Sequence, residues 1–413
     1  MTLLTASRLS ISKVILINAS KKGIPMYFDF DYYYKVLKHV WGLKDWPLRR
    51  KTLFKLLILV PLESSFHAVF FLLDYVFFPR LWLQKIIQPI FIIGHARSGT
   101  TMMHRLMSAD GDKFNDFLYW EMFFPSLTEK KVIRMLGWVD QHIFGGPIKR
   151  RLVKLDDDMF GPFRHMHYMS FWNAEEDQFS MRAAFVTQQW STDIPLMDVI
   201  DMFHVDSMPK KKVRWMRHYK EIIKRQLLLN GGQAIHLSKN PVMCGWTETL
   251  IEAFPDAKIV VMVRNPLECI PSLLKIVEVS WQGKNWRKKD YVTSLELLTQ
   301  TCFESFTHPK AVLEKYPQVP HKLVDYRQLT TEPRQTIHDL YEALGMTVSE
   351  EYDQHLIDHE QKEKSHKTHF RYSIEEYDGL SVEQIEQQLD EFFTLYGWDR
   401  PSENPDIFGG NAN

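Results

Sequence analysis

Cysteine is scarce in this chain of 413 residues, which holds only Cys244, Cys269 and Cys302. Three widely spaced thiols form neither the disulfide framework of a small secreted domain nor a zinc-finger pattern. They are typical of a protein in a reducing compartment, so the sequence predicts a cytoplasmic location.

An excess of charge of one sign is also missing, because 51 Lys and Arg residues balance 51 Asp and Glu residues. Proteins that coat nucleic acid or charged polysaccharide carry a surplus of basic residues. We therefore expect no nucleic-acid partner. A local binding site for a small anion is compatible with this balance.

No uninterrupted run of about 20 apolar residues, the length that spans a bilayer, occurs in the sequence. The most apolar region, residues 53–93, is interrupted by charged residues and prolines. We expect residues 1–88 to form a helical extension whose helices are buried against the rest of the chain. Peripheral membrane contact is the alternative, because Arg49, Arg50 and Lys51 precede the apolar segment. The oligomeric state is left open.

From residue 89 onward the sequence alternates short apolar strands with helical segments. The strand signals occur at residues 89–94, 234–237, 258–263 and 321–326. Such alternation is typical of a parallel sheet with helices on both faces. We therefore predict a three-layer α/β domain over residues 89–400, with a tail at residues 401–413. Residues 117–216 show little periodicity, and we expect them to be an insertion that forms the substrate pocket.

A glycine-rich loop joins the first strand to the helix that follows it. Gly94 and Gly99 bracket four residues, and two hydroxyl residues begin the helix; the candidate binding residues are Gly94, Arg97, Ser98, Gly99, Thr100 and Thr101. Backbone N–H groups at such a turn point at an anion. A nucleotide-hydrolysing P-loop has Lys where Thr100 stands. We therefore expect Arg97 to supply the positive charge.

The strand over residues 258–263 leads directly into a cation, Arg264. A nucleotide-hydrolysing enzyme tends to place Asp at such a strand end to hold Mg²⁺. Arg264 therefore predicts a second contact with an anion, and Ser272 in the next helix is placed to reach the same anion. Taken alone, an Arg at a strand end is more often a salt-bridging residue. Pro271 removes an amide beside Ser272 and makes its placement less regular.

Together these motifs resemble those of the sulfotransferases that use 3′-phosphoadenosine 5′-phosphosulfate (PAPS), in their bacterial-type branch. The segment PIFIIGHARSGTTMMHRLMSAD looks like the family's 5′-phosphosulfate loop, and VVMVRNPLECIPSLL looks like its 3′-phosphate motif. HLSKNP, KLVDYRQLTTEPRQTIHDLYEALG and HFRYSIEEYDGL resemble further blocks of that branch. The resemblance covers roughly residues 89–398. It implies a P-loop-like parallel β-sheet flanked by helices, and transfer of a sulfuryl group to a hydroxyl or amine.

The resemblance also implies a role for each residue of the site. It assigns the 5′-phosphosulfate to the glycine-rich loop and the 3′-phosphate to Arg264, Ser272 and Arg371. Lys239 of HLSKNP would face the bridging oxygen, where charge develops in the transition state. PAPS is then the donor, and no metal is expected.

An acceptor hydroxyl needs a general base. The acidic block at residues 173–177 resembles one in the bacterial-type branch, and clustered carboxylates raise one another's pKa toward neutrality. Glu176 is the first candidate and Glu175 the second, with His165 and His167 as rivals. A solvated acidic turn without a catalytic role is the simpler explanation of the block.

The acceptor is not identified by the sequence. Neutral net charge, the apolar N-terminal region and the aromatic stretch LYWEMFF favour a small or lipophilic acceptor over a charged polysaccharide. Two other functions stay open. One is a P-loop small-molecule kinase or NTPase, against which Thr100 and Arg264 both count, and the other is a catalytically inactive nucleotide-binding adaptor.

Overall fold

The computed structural model describes residues 26–161, 169–363 and 380–401, so the predicted tail lies outside these residues except for residue 401. Within the described residues, five parallel strands form one sheet in the order β2-β3-β1-β4-β5. The strands are β1 (Ile90–Gly94), β2 (Phe114–Asn115), β3 (Ile235–Lys239), β4 (Lys258–Val263) and β5 (His321–Asp325).

Helices cover both faces of the sheet, which confirms the predicted α/β class. In chain order they are α1 (Phe30–Gly42), α2 (Arg49–Phe77), α3 (Thr100–Ser108), α4 (Tyr119–Met122), α5 (Leu127–Ile143), α6 (Pro147–Phe160), α7 (Gln189–Asp193), α8 (Pro209–Leu229), α9 (Thr247–Ala253), α10 (Pro266–Gly283), α11 (Lys288–Lys315), α12 (Tyr326–Thr331), α13 (Pro333–Ala343), α14 (Glu350–Glu363), α15 (Val382–Gln388) and α16 (Asp390–Tyr396). Single turns of 3₁₀-helix join several of them, and a longer one spans Asp177–Ala184.

The central strands are buried because both of their faces are covered. β1 pairs with β3 on one side and with β4 on the other, and every residue of β1 and β4 is buried. Successive side chains of a strand point to opposite faces. Phe91 and Ile93 accordingly pack in one hydrophobic core, whereas Ile90 and Ile92 pack in the second core, on the other face. An apolar run without alternation is the sequence pattern that such a doubly covered strand requires.

Strand β3 is longer than its apolar run predicts. The pattern ends at Leu237, but the ladder continues to Lys239, which pairs with Ile92 of β1. Ser238 and Lys239 are both buried although they are polar. The hydroxyl of Ser238 lies 3.2 Å from that of Tyr219, and the partners of Lys239 are described with the site.

The N-terminal helices are buried on one face only. In α1 the buried apolar positions are Tyr32, Val36 and Val40, which is one side of a helix. Among the described residues, α2 is the one helix whose length and composition would allow it to cross a membrane, with 29 residues and an 18-residue stretch of mean hydropathy 2.0. Only 17% of the residues in this stretch are buried. The sequence predicts buried helices here, and most of α2 is instead partly or fully exposed.

A π-helical segment, Lys55–Leu59, lies within α2 directly before Pro61. Proline has no N–H to donate, and its ring collides with the carbonyl four residues earlier, here that of Leu57. A π-helical turn contains about one residue more than an α-helical turn. It therefore leaves room for the proline ring and for the carbonyl that lacks an N–H partner. The helix therefore continues through the proline.

Candidate functional site

The carboxyl ends of the longer strands meet at one edge of the sheet, where open α/β sheets bind their ligands. Gly94 ends β1, Lys239 ends β3, Arg264 follows β4 and Tyr326 follows β5. Because all these strands are parallel, residues far apart in the chain come together at this edge. The predicted loop, the predicted Lys and the predicted Arg therefore share one region.

Glycine is required at both ends of the loop that follows β1. The φ angles are 138° at Gly94 and 91° at Gly99, a backbone region that favours glycine. A Cβ added to Gly94 would lie 2.2 Å from the carbonyl oxygen of Met262, and one added to Gly99 would lie 2.3 Å from the ring of Tyr326. The loop thus passes closer to its neighbours than any larger residue permits.

The chemistry of the loop suits an anion. It leads into the N-terminus of α3, where the first N–H groups of a helix have no partner within the helix and attract negative charge. The side chain of Ser98 is fully buried, and its hydroxyl has no hydrogen-bond partner among the described residues. A buried hydroxyl without a partner fits a site in which a ligand oxygen completes the bond. The loop residues therefore fit a phosphate-like group.

Arg97, Ser272 and Arg264 are linked to one another around the loop. Nε of Arg97 donates a hydrogen bond to Oγ of Ser272 at 3.2 Å, and Nη1 of Arg264 donates to the carbonyl oxygen of Arg97 at 3.3 Å. Helix α10 continues through Pro271 and buries Ser272. The structure thus brings together the residues predicted for the two ends of a nucleotide, with Arg97 within reach of the residue predicted for the 3′-phosphate.

Arg264 has a salt-bridge partner as well as the predicted neighbours. Its Nε donates to a carboxylate oxygen of Glu268 at 2.8 Å, and its guanidinium lies over the ring of Tyr326, 4.5 Å from the ring centre. A guanidinium has five N–H donors. The contacts with Glu268 and with the carbonyl of Arg97 use three of them within the described residues. Arg264 is therefore held in place and retains donors for an anion.

A buried cluster lies around the amine of Lys239, beside the start of α3. The Lys239 side chain is fully buried, and its Nζ lies 3.2 Å from Oε1 of Glu176, 3.4 Å from Oε2 of Glu175 and 3.4 Å from Oγ1 of Thr101. A buried ammonium is tolerated only with such charged and hydrogen-bonding partners. The Glu175 side chain is 4% exposed, whereas that of Glu176 is 28% exposed. Glu176 is therefore the carboxylate of this pair that a second reactant can reach more readily.

Backbone contacts between two segments that are distant in sequence hold the acidic block at the edge of the sheet. Ala174 forms an isolated antiparallel bridge with Leu118, and the backbone N–H of Glu175 donates to the carbonyl oxygen of Phe117 at 3.1 Å. Phe117 follows β2, which lies at the edge of the sheet beside β3. The region predicted as an insertion therefore reaches the candidate site at this point.

Asp177, the last residue of the acidic block, turns away from Lys239 into the core. Its carboxylate accepts a hydrogen bond from the Tyr219 hydroxyl and lies 3.6 Å from Nε2 of His236. Burial and the nearby Asp177 carboxylate raise the pKa of Tyr219 well above its ordinary value, so the phenol stays protonated as the donor. Asp177 thus anchors the block, and the two glutamates before it remain at the site.

Cys244 lies behind the loop, where its Sγ accepts a hydrogen bond from the backbone N–H of Gly94 at 3.1 Å. Burial raises the pKa of its thiol to about 12. A thiol that stays protonated near neutral pH is not a nucleophile. Cys244 is therefore a packing residue of the loop, and it forms no disulfide.

Three residues of the site are not identified by sequence reasoning: Tyr326, Glu268 and Gln178. Tyr326 carries a usable signal, because it is the first residue after β5 and so must lie at the ligand-binding edge. Nε2 of Gln178 donates to Glu176 at 3.1 Å, and Glu268 pairs with Arg264. Neither of these contacts follows from a motif, since both depend on side-chain directions within the folded chain.

Other predicted residues cannot be placed at the site. Arg371 and the rival bases His165 and His167 lie outside the described residues, so their roles stay predictions. Among the residues that the structure describes, no group of three or more His, Cys, Asp or Glu side chains is arranged to hold a metal ion.

An open cavity lies near the acidic block, between α2 and α7 with the segment that precedes α7. Its lining residues are Lys55, Leu59, Val60, Glu63, Ser64, Arg182, Thr187, Gln189, Trp190 and Asp193. Gln188, in the wall segment, donates its N–H to Oε1 of Gln178 at 3.4 Å, and Gln178 in turn donates to Glu176. Two hydrogen bonds therefore connect the cavity wall with the more exposed glutamate.

Comparison with known proteins agrees with the resemblance of the motifs. A family model described as the sulfotransferase family matches residues 89–350. The fold is similar to the crystal structure of a sulfotransferase from Mycobacterium avium, with a TM-score of 0.68, 15% identity and coverage of 94% of this chain and 97% of that chain. It is also similar to that of a sulfotransferase from Mycobacterium tuberculosis H37Rv, with a TM-score of 0.61, 19% identity and coverage of 92% and 98%. No curated protein matches the sequence significantly.

Proposed function

This chain belongs to the sulfotransferase family, and on that premise we propose that it transfers a sulfuryl group from PAPS to a hydroxyl or amine group of an acceptor. One observation carries the proposal. The buried amine of Lys239 lies 3.4 Å from Thr101 of the loop and 3.2 Å from Glu176 of the acidic block. An anion-binding loop, a cation and a carboxylate base are the groups that this chemistry needs at one place.

The loop and the two arginines bind the donor in this proposal. PAPS supplies the sulfuryl group, which passes through a loose transition state with charge spread over its oxygens, as in phosphoryl transfer. The N-terminus of α3 and the hydroxyl of Ser98 donate hydrogen bonds at the phosphosulfate end. Arg264 and Ser272 bind the 3′-phosphate, and Arg97, which contacts both of them, adds positive charge to the loop.

Lys239 and Glu176 act on the two sides of the transferred group. The ammonium of Lys239 neutralises the negative charge that develops on the leaving oxygen. Glu176, which contacts this amine and is the more exposed of the two glutamates, accepts the proton of the acceptor hydroxyl. Glu175 is nearly buried and serves as the second partner of the amine.

The placement of the acidic block supports an enzyme over an inactive adaptor. Thr100 in place of the P-loop Lys and Arg264 in place of a strand-end Asp count against a kinase or NTPase. A cation at the end of β4 repels a divalent metal and attracts a phosphate. We therefore propose that the reaction needs no metal.

A small or lipophilic molecule is the acceptor in this proposal. The cavity near the acidic block is lined by the apolar side chains of Leu59, Val60 and Trp190 and by seven polar or charged side chains, a mixture that suits a small molecule with both apolar and polar parts. Its wall is connected through Gln178 to Glu176. An acceptor held there would present its hydroxyl toward the proposed base.

Two measurements on the purified chain test the donor and the absence of a metal. Because a ligand that binds the native state raises its apparent stability, adenosine 3′,5′-bisphosphate, the desulfated donor, should raise the Tm more than ATP with Mg²⁺ at equal concentration. The initial rate with PAPS and a phenolic acceptor should be the same before and after treatment with EDTA. A larger shift with ATP, together with activity that EDTA abolishes and Mg²⁺ restores, would support the kinase alternative.

A further inference from the structure

One side of α2 is an exposed apolar stripe along its whole length. Seven large apolar side chains each expose half or more of their surface: Phe54, Ile58, Leu62, Phe66, Val69, Leu72 and Val76. Their spacings of three and four residues place them on one face of a helix, because an α-helix turns once every 3.6 residues. Contiguous exposed apolar surface of this kind marks an interaction site.

Helices α5 and α6 extend this stripe into a broad surface. Helix α5 packs on α2, and α6 packs on α5. They add further exposed apolar side chains, namely Val132, Met135, Leu136, Trp138, Ile143, Ile148, Leu152, Leu155 and Met159. We call the exposed apolar residues of α2, α5 and α6 the apolar surface.

The opposite face of α2 packs against the rest of the chain through buried polar groups. Asp74 accepts hydrogen bonds from Oγ of Ser126 at 2.8 Å and from Nε of Arg225 at 2.7 Å. His67 bonds through Nδ1 to Glu129 at 2.8 Å. A helix that crossed a bilayer alone would carry Asp74 and His67 into hydrocarbon without these partners, at a cost of several kcal/mol. Helix α2 therefore presents one face outward while the other stays on the protein.

Basic side chains border the apolar surface on two sides. Arg50, Lys51 and Lys55 are exposed at the start of α2. Helix α6 carries a second exposed group, Lys149, Arg150, Arg151 and Lys154, while its acidic pair, Asp157 and Asp158, lies toward the other end of the helix. Exposed apolar side chains next to Lys and Arg are the pattern of helices that lie in the headgroup region of anionic membranes.

We propose that the apolar surface docks this protein on a bilayer that contains anionic phospholipids, with α2 lying along the surface of the bilayer and not across it. Apolar side chains of α2, α5 and α6 enter the headgroup boundary, and the basic side chains contact lipid phosphates. Lys55 and Leu59 belong both to α2 and to the cavity near the acidic block. A docked bilayer thus lies beside the pocket proposed for the acceptor; this consequence rests on the proposed function, whereas the docking does not.

Vesicle flotation with the full chain tests the docking. The protein should float with phosphatidylcholine vesicles that contain phosphatidylserine, bind vesicles of phosphatidylcholine alone more weakly, and dissociate from the anionic vesicles at high salt. The double variant Leu62→Ser with Val69→Ser should lower the vesicle partition coefficient about tenfold. Val213→Ser with Leu395→Ser is the matched control, because these residues are 55% and 57% exposed on other helices. The control should bind as the unaltered protein does.

A second pair of variants tests the basic border. Arg150→Gln with Lys154→Gln should weaken binding to anionic vesicles about thirtyfold and leave binding to neutral vesicles almost unchanged, since each basic residue near such a surface adds about 1 kcal/mol. Lys210→Gln with Lys289→Gln, which alters two exposed lysines on other helices, should have no effect. Circular dichroism and thermal unfolding confirm that each variant is folded before binding is measured.

Four outcomes would overturn the proposal. The folded protein does not float with anionic vesicles; the apolar variant floats as well as its control; the protein is a dimer that the apolar variant dissociates while no vesicle binding occurs; or vesicle-bound protein resists extraction by alkaline carbonate. The third outcome would assign the surface to contact between two copies, and the fourth would mean that α2 spans the bilayer. None of them depends on turnover, so the proposed function is tested separately.

Discussion

At the scale of single residues, Arg97 and Arg264 lie close together although 166 positions of sequence separate them. The Arg264 guanidinium donates to the backbone of Arg97, and Arg97 donates to Ser272. Arg264 also has a structural role, because it forms an ion pair with Glu268. Only binding measurements separate a structural arginine from one that holds an anion.

Replacing either arginine by Ala should lower the affinity for adenosine 3′,5′-bisphosphate by about one to two orders of magnitude. The physical reason is the loss of a charge-assisted hydrogen bond worth about 1.5–3 kcal/mol. Isothermal titration calorimetry measures the change. Arg287→Ala is the matched control, because Arg287 forms an exposed pair with Asp290 on α11 and should leave the affinity unaltered. Unchanged affinity in both site variants would remove the arginines from the donor site.

Glu176→Gln should reduce turnover by about 10²–10⁴-fold while the affinity for adenosine 3′,5′-bisphosphate is kept. The amide retains the size of the carboxylate and its contact with Gln178, but it cannot accept a proton. Glu175→Gln, the neighbouring change at the same amine, should have a smaller effect on turnover because its side chain is nearly buried. Single-turnover rates with PAPS compare the two variants. If both keep the rate of the unaltered protein, the base lies elsewhere and His167 becomes the next candidate.

At the scale of elements, the joint between α2 and α5 depends on a buried histidine. Burial lowers the pKa of His67, but hydrogen bonds to Glu129 and Glu63 outweigh this effect and raise the pKa to about 8. The unfolded chain has a His pKa of about 6.5. Protonated His67 therefore stabilises the folded state fully below about pH 6.5, and this stabilisation is lost as the pH rises through 8.

His67→Gln should remove this part of the pH dependence. A pKa difference of about 1.5 corresponds to about 2 kcal/mol of unfolding free energy. Urea unfolding at pH 6 and pH 9 should show that the unaltered protein loses about 2 kcal/mol more over this interval than the variant does. His142→Gln, a change at an exposed position of α5, the helix that carries Glu129, should keep the original pH dependence. Equal losses in all three proteins would mean that His67 does not carry the effect.

At the scale of the whole molecule, the neutral net charge and the apolar surface both favour a small or lipophilic acceptor. A charged polysaccharide needs a basic channel, which a chain with balanced charge does not favour. We expect turnover with phenols, sterols or lipid alcohols and little or none with anionic glycans, measured as transfer of labelled sulfate from PAPS. A screen in which only anionic glycans accept sulfate would contradict the proposed acceptor class.

The sequence by itself determined four of the five strands that the structure describes and the glycine-rich loop after β1, whereas β2, with two residues, is too short for an apolar run. β4 begins and ends where its apolar run does, and β1 is displaced by one residue at its start. These features are local, because a buried parallel strand needs consecutive apolar residues and a close turn needs glycine. The motifs around the loop and Arg264 also indicated the family. That resemblance is what assigned Arg97 to the 5′-phosphosulfate and Arg264 and Ser272 to the 3′-phosphate of one nucleotide.

Only the tertiary structure decided which side chains meet at that edge and which face of α2 stays exposed. Lys239 contacts Thr101 and both glutamates through segments that are distant in sequence, and Asp177 turns into the core although it follows Glu176 directly. The pattern of α2 reads as a buried helix, but whether an apolar stripe is covered depends on how much protein lies beside it. Local sequence sets backbone conformation, whereas side-chain partners and burial depend on packing between distant segments, which no local pattern encodes.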